Sequence, residues 1–362
     1  MTMPPWFLID DSPEEAKAYA QNLAQDDVLP IEYMSVADAA ERLRSGDLIP
    51  AGLLMDVDLS NELGPQQTGP GMSQSIRVAQ QNQSLPPFPI VRFSLREKVL
   101  RNIGQDSSSD DIFDLKIEKD GLSNPVVRDA VRSKLVGVRQ IYDVLERDEQ
   151  NLLSVIGLSE DFWSLWGSSG FQDTFEVADR VHLRVYPLIR LLVHPGLLIE
   201  EGLLGFRLGI DRGASPGWSA VLDAVSDFSY CGVAHGCFRR WWARGIEQWW
   251  QESVGGALPL AGTEVEQRVE LLSKSFDDLV PLGMPKGSMG KRPWRYCLLS
   301  WEQRQDLVPV DPARAVRIKP RSPMPSWLDP LYASLGEALR NRDDPRLDKE
   351  DLKRLQPYAR MA

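Results

Sequence analysis

The chain has 362 residues, 43% of them apolar and 26% charged, with a formal net charge of −11. That length supports two hydrophobic cores, and the composition is that of a globular protein rather than a disordered or disulfide-framed one. The acidic balance disfavours wrapping nucleic acid and suits a cation. The imbalance is local: residues 1–120 hold 20 acidic and 10 basic side chains, and the remainder hold 32 and 31. Only Trp6 lies in the first part, and the other ten tryptophans follow residue 160. Two domains with different tasks are therefore expected: residues 1–122, a linker helix over 123–150, and residues 151–362. No apolar run reaches the ~20 residues that cross a bilayer. The beginning of the chain carries no basic-then-apolar leader, and three cysteines suit a reducing compartment. A cytoplasmic protein without membrane association is expected.

Strand-like runs recur along the first 122 residues: WFLID (6–10), PIEYM (30–34), AGLLMD (51–56), FPIVRF (88–93) and DIFDLK (111–116). Helical stretches separate them. SPEEAKAYAQNLAQ opens with Ser12 as a cap, Pro13 at the first helical position and Glu15 three residues after the cap. SVADAAERLRSG repeats the design with Ser35 as cap and Gly46 as terminator. GMSQSIRVAQQ and SLREKVLRNIG complete the set. This alternation predicts an α/β fold with a parallel sheet and helices on both faces. In such sheets ligands sit beyond the carboxyl ends of the strands.

The residues at those ends carry a pattern. The first run ends at Asp10 and Asp11, the third at Asp56, the fourth at Ser94 and the fifth at Lys116. Three carboxylates on one edge repel one another unless a cation sits among them. An oxygen-rich site with few protein ligands suits Mg²⁺, which keeps several waters and pairs with phosphate. A lysine and a hydroxyl alongside would complete a phosphate cradle.

The pieces LIDD, LLMDVDL, PIVRFS and FDLK, in that order, resemble the receiver domain of bacterial two-component response regulators. Asp56 follows Asp11 by 45 residues, and Lys116 follows Ser94 by 22, spacings natural for that family. GPGMSQSIR is similar to the small-residue start of the family's third helix. The resemblance covers about a third of the chain and implies a doubly wound, flavodoxin-like sheet in the order 2-1-3-4-5. It also implies Asp56 as phosphoacceptor, with Mg²⁺ held by Asp10, Asp11, Asp56 and the backbone carbonyl of Asp58. Lys116 would pair with the phosphoryl oxygens, and the Ser94 hydroxyl would turn toward them. A sensor kinase or kinase-like ATPase would be the phosphodonor partner. Several features depart from the family. The segment between Asp56 and Gly71 is longer than usual. Lys116 is followed by Ile117 where receivers usually carry a proline, commonly in a cis peptide. Lys119 is a rival for the lysine role, and no clear aromatic occupies the switch position on the fifth strand, although Phe113 lies near it.

Beyond the sheet, Asn124 and Pro125 open a long helix. Val127, Val131, Leu135, Val138, Tyr142 and Leu145 form one stripe along it. It is expected to pack on the sheet and run on, with a homodimer through this helix as the alternative. Residues 151–362 read as mostly α and Trp-rich, serving as an output or interaction domain for an unknown protein effector. Trp241, Trp242, Trp249 and Trp250 are expected to fill a core, the alternative being an exposed aromatic groove for a partner. Cys231, His235 and Cys237 do not have the spacing of a zinc finger. GMPKGSMGKRPWR (283–295) lacks the first glycine of a phosphate loop. No nucleophile–His–acid grouping stands out, so no enzymatic output is expected, and the absence of a basic helix-turn-helix disfavours DNA. The half resembles output domains of bacterial conflict or stress operons. Two functions follow: a switch phosphorylated on Asp56, or a phosphorylation-independent scaffold or adaptor that keeps the receiver fold, of the kind found in bacterial defence systems.

Overall fold

Five parallel strands, β1 (Trp6–Ile9), β2 (Ile31–Met34), β3 (Gly52–Met55), β4 (Ile90–Ser94) and β5 (Leu115–Glu118), form one sheet in the order β2-β1-β3-β4-β5. This computed structural model describes residues 4–59, 68–96, 112–147, 151–178, 180–256, 258–304, 306–321 and 323–358. The burial of each strand follows from its place in the order. Every residue of β1 and β3 is buried, as central strands covered on both faces must be. The edge strands β2 and β5 alternate or expose their middle, which is why they read as mixed rather than apolar.

The helices are punctuated as the sequence predicts. Helix α1 (Pro13–Leu23) starts with proline in its first turn and buries Ala16, Ala20 and Leu23. Helix α2 (Val36–Ser45) is capped by the Ser35 hydroxyl, which accepts from the Asp38 N–H at 3.1 Å. It stops at Gly46, whose φ of 77° is left-handed and open to glycine at little cost. Helix α3 (Gly69–Gln81) is capped by Thr68, whose Oγ1 accepts from the Gly71 N–H at 3.2 Å. Most of the helix expected over 94–104, and of the long segment between Asp56 and Gly71, lies outside the described residues.

Helix α4 (Pro125–Glu146) begins with the Asn124 cap and buries Val131, Leu135, Val138, Tyr142 and Leu145, while Val127 stands exposed. It lies against the sheet's own layer: Arg139 reaches the Ala51 carbonyl at 3.1 Å, and Arg132 reaches those of Asn22 and Leu23. At the amino edge of the sheet Tyr142 joins a buried polar knot. Its hydroxyl donates to Asp114, and Arg77 pairs with the same carboxylate at 2.7 Å. Asp114 also accepts from the Ile90 N–H at 2.8 Å, so one carboxylate ties α3, α4 and the starts of β4 and β5.

The chain groups into two compact units. The first comprises residues 1–158, 171–193 and 231–238, and the second residues 159–170, 194–230 and 239–362. Segments 171–193 and 231–238 thus belong with the sheet and not with the rest of the second half. Within the first unit, Gly137 of α4 faces Phe238 so closely that a Cβ would lie 2.6 Å from the ring.

Among its described residues the second unit is helical, with three short two-stranded pairs. The four neighbouring tryptophans do not share one element. Trp241 and Trp242 are a short strand paired with Leu198–Ile199, and the helix begins at Ala243. The bulky rings favour extended backbone, and Trp249 and Trp250 then fall on the helix proper. All four are buried, at 8% exposure or less, and Trp250 donates to the Leu258 carbonyl at 2.8 Å. Trp241, Trp249 and Trp250 are core, alongside Trp218 and Phe206, and Trp242 packs against Trp166 and Tyr230; the exposed aromatic groove does not form. Arg268, fully buried, donates to the carbonyls of Phe206, Arg207 and Pro293 and so satisfies the end of the helix over Glu201–Leu208. Among the described residues no helix is long and apolar enough to cross a membrane.

Candidate metal and phosphoryl centre

Asp10 and Asp11 follow β1 directly, and Asp56 follows β3, its neighbour in the sheet. Because the two strands are parallel and in register, their carboxyl ends coincide and the three side chains meet. Their carboxylate oxygens lie within 4.8 Å of one another, and all three residues are buried. The start of α1 is shaped by this cluster. Ser12, placed as a helix cap, makes no side-chain cap bond. Its N–H donates to Asp10 Oδ1 at 2.9 Å and its hydroxyl faces Asp11 Oδ1 at 3.4 Å. The Val57 N–H donates to Asp56 Oδ1 at 2.9 Å, fixing that carboxylate's rotamer.

The lysine of the site is Lys119, not Lys116. The fifth strand expected over 111–116 runs instead from Leu115 to Glu118, starting four residues later and ending two later, with Asp114 held just before it in the knot with Arg77 and Tyr142. From Leu115 the side chains alternate. Leu115, Ile117 and Lys119 point inward, while Lys116, opposite Arg92, is exposed. Lys119 Nζ pairs closely with Asp10 Oδ2 and stands 3.6 Å from Asp56 Oδ2, with its side chain 3% exposed. The period-two count from Leu115 was the sequence signal that could have found it. Asp120 follows Lys119, and no described peptide bond is cis.

Ser94 closes β4 and is fully buried, and its Oγ has no hydrogen-bond partner among the described residues. A buried hydroxyl without a partner is uncommon in folded proteins. Asp58 lies just beyond Asp56 and forms an antiparallel bridge with Thr68, the residue that caps α3. Phe113 is buried in the core below the sheet. Two aromatic residues at the site were not anticipated. Lys119 Nζ lies 5.6 Å from the ring centroid of Tyr19 and 5.4 Å from that of Phe93, and the two rings meet edge to face at 5.7 Å. Tyr19 sits on α1 beside the buried stripe of Ala16, Ala20 and Leu23, a placement the helical period contains.

The electrostatics are those of a crowded acidic site. Burial holds the Asp10 carboxyl above the usual carboxylate range; Lys119 acts against that shift and Asp56 with it. Three carboxylates face one ammonium, so the cluster favours a further cation. Its donor set is all oxygen, which fits a hard divalent ion such as Mg²⁺. Among the described residues no other group of histidine, cysteine or acidic side chains converges this way. Cys231 and Cys237 are free thiols, and Cys297 is buried in the second unit. Together the cluster, the lysine and the unpartnered hydroxyl can hold a cation and receive an anion at the carboxyl edge of a 2-1-3-4-5 parallel sheet. No family model matches this chain, and neither does any curated protein.

Proposed function

We propose that the first unit is a receiver-like signalling module in which Asp56 accepts a phosphoryl group, and that the helical second unit is its protein-interacting output. The observation that supports this reading most is the convergence of Asp10, Asp11 and Asp56 with Lys119 and Ser94 at one sheet edge. A divalent cation such as Mg²⁺ would be held by the Asp10, Asp11 and Asp56 carboxylates, with the Asp58 carbonyl as a further ligand. It would neutralise charge on the transferring oxygens. An Asp56 oxygen attacks phosphorus in line, forming an acyl phosphate as the donor's leaving group departs. Lys119 pairs with the phosphoryl oxygens and Ser94 Oγ–H donates to one of them. The donor is a kinase or kinase-like ATPase, or a small acyl phosphate.

The scaffold reading also has support. Lys119 pairs with Asp10 and stands 3.6 Å from Asp56, so the protein itself supplies a counter-charge to part of the cluster. A metal titration separates the two. Mg²⁺ at ten times its dissociation constant is expected to stabilise the protein by about 1.4 kcal/mol through mass action. The shift is read as a rise in melting temperature, and Asp11→Ala is expected to lose most of it. Equal responses in the two proteins would remove the metal site and leave the scaffold reading.

A further inference from the structure

We propose that Tyr19 is a positioning residue for Lys119, holding the ammonium against the carboxylates and closing it off from solvent. The inference rests on the phosphoryl reading only for its consequence, not for its geometry. Beside α1 lies a groove of about 420 Å³ lined by Glu15, Ala18, Tyr19, Asn22 and Leu95. Lys119 does not line that groove, and its side chain is 3% exposed. Tyr19 is common to both sides: it lines the groove and presents its ring to Lys119 Nζ at 5.6 Å. Phe93 presents a second ring at 5.4 Å, nearly perpendicular to the first, with an interplanar angle of 86°. Two aromatic faces and two carboxylates thus enclose the ammonium. A cation against ring faces is attracted by their quadrupoles, more strongly when water is excluded. Phe93 is fully buried in the core. Tyr19, half-buried on a helix, is the member that can be altered without emptying the core.

The consequence concerns phosphoryl transfer. A lysine four methylenes long loses rotamer freedom when it is held, and Tyr19 imposes that loss before the donor arrives. The ring's hydroxyl is not required; the ring face is. Tyr19→Phe therefore keeps the function and Tyr19→Leu loses it.

The test uses the full chain with lysine labelled by ¹³C at Cε, free of metal. The Lys119 resonance is the one missing from Lys119→Arg. Ring currents are expected to move its ε-methylene protons upfield of those of exposed Lys116 in wild type and in Tyr19→Phe. In Tyr19→Leu they are expected to move back toward Lys116. A second arm follows labelling by acetyl phosphate with Mg²⁺. There Tyr19→Leu should slow labelling about tenfold, while Tyr19→Phe stays within about twofold of wild type. An unchanged Lys119 resonance in Tyr19→Leu, or an equal displacement in Tyr19→Phe, overturns the proposal. If wild type takes no label at all, the phosphoryl reading fails, and the resonance arm still decides the role of Tyr19.

Discussion

Replacing Asp114 with alanine is expected to destabilise the first unit by roughly 3–5 kcal/mol, the cost of breaking a buried ion pair from one side. Asp114 is 5% exposed and Arg77 10%. The carboxylate accepts from Arg77 at 2.7 Å, from the Tyr142 hydroxyl at 3.0 Å and from the Ile90 N–H at 2.8 Å. Without it a buried guanidinium loses its counter-charge, though Arg77 keeps the carbonyls of Ile112 and Phe88. Burial pushes the Arg77 guanidinium toward losing its proton, and the Asp114 charge reverses that, so the pair stands or falls together. The starts of β4 and β5 and the Tyr142 turn of α4 would lose their common anchor. Urea unfolding of the full chain measures the loss. Asp129→Ala is the contrast, because that carboxylate is 64% exposed and pairs with Arg132 on the helix surface; it is expected to cost less than ~1 kcal/mol. Similar losses in the two variants would show that the knot is not what ties these elements.

Gly69→Ala is expected to disturb the candidate site as strongly as a change to one of its own carboxylates. A Cβ at position 69 would lie 1.7 Å from the Asp56 carbonyl oxygen and 2.9 Å from its carbonyl carbon. Both are backbone atoms of the strand end and cannot swing aside, so either α3 lifts or Asp56 shifts. Overpacking of this kind costs about 1–3 kcal/mol where some relaxation is available. The diagnostic result is a loss of the Mg²⁺-dependent rise in melting temperature. Gly71→Ala, two residues on in the same helix, meets only the Thr68 hydroxyl, at 3.3 Å, and should leave that rise in place. A full response in Gly69→Ala would mean that Asp56 is not held where the cluster needs it by this contact.

The sequence made the sheet legible where burial is extreme. The runs of β1 and β3 are apolar because both faces are covered, and the two aspartates after Ile9 and the one after Met55 are visible as charges ending such runs. The α4 stripe was legible for the same reason, a helical period sustained over six turns. The edge strand β5 was not. In IFDLKIEK the apolar residues Phe113, Leu115 and Ile117 alternate with Asp114, Lys116 and Glu118, which sets Lys116 on the outward side; a strand that ends at Lys116 stops short of Lys119. What the local sequence does not contain is the start of the strand: Asp114 is held by Arg77, 37 residues away, and β5 begins at the next residue, Leu115. Tyr19 was missed because its role depends on a cation contributed 100 residues later. The burial of Trp241 and Trp242 was legible in the sequence, but their pairing as a strand was not, because the partner Leu198–Ile199 is equally remote.

The most direct test of the account is phosphoryl labelling of the intact protein by acetyl phosphate in Mg²⁺, with the labelled residue located by mass spectrometry. The account predicts an acid-stable, base-labile acyl phosphate on Asp56 that is absent from Asp56→Asn. Lys119→Ala should weaken labelling by about tenfold or more through loss of a charge on the transferring oxygens, and Lys116→Ala should leave it unchanged. Label on another residue, equal label in Asp56→Asn, or sensitivity to Lys116 rather than Lys119 would contradict it.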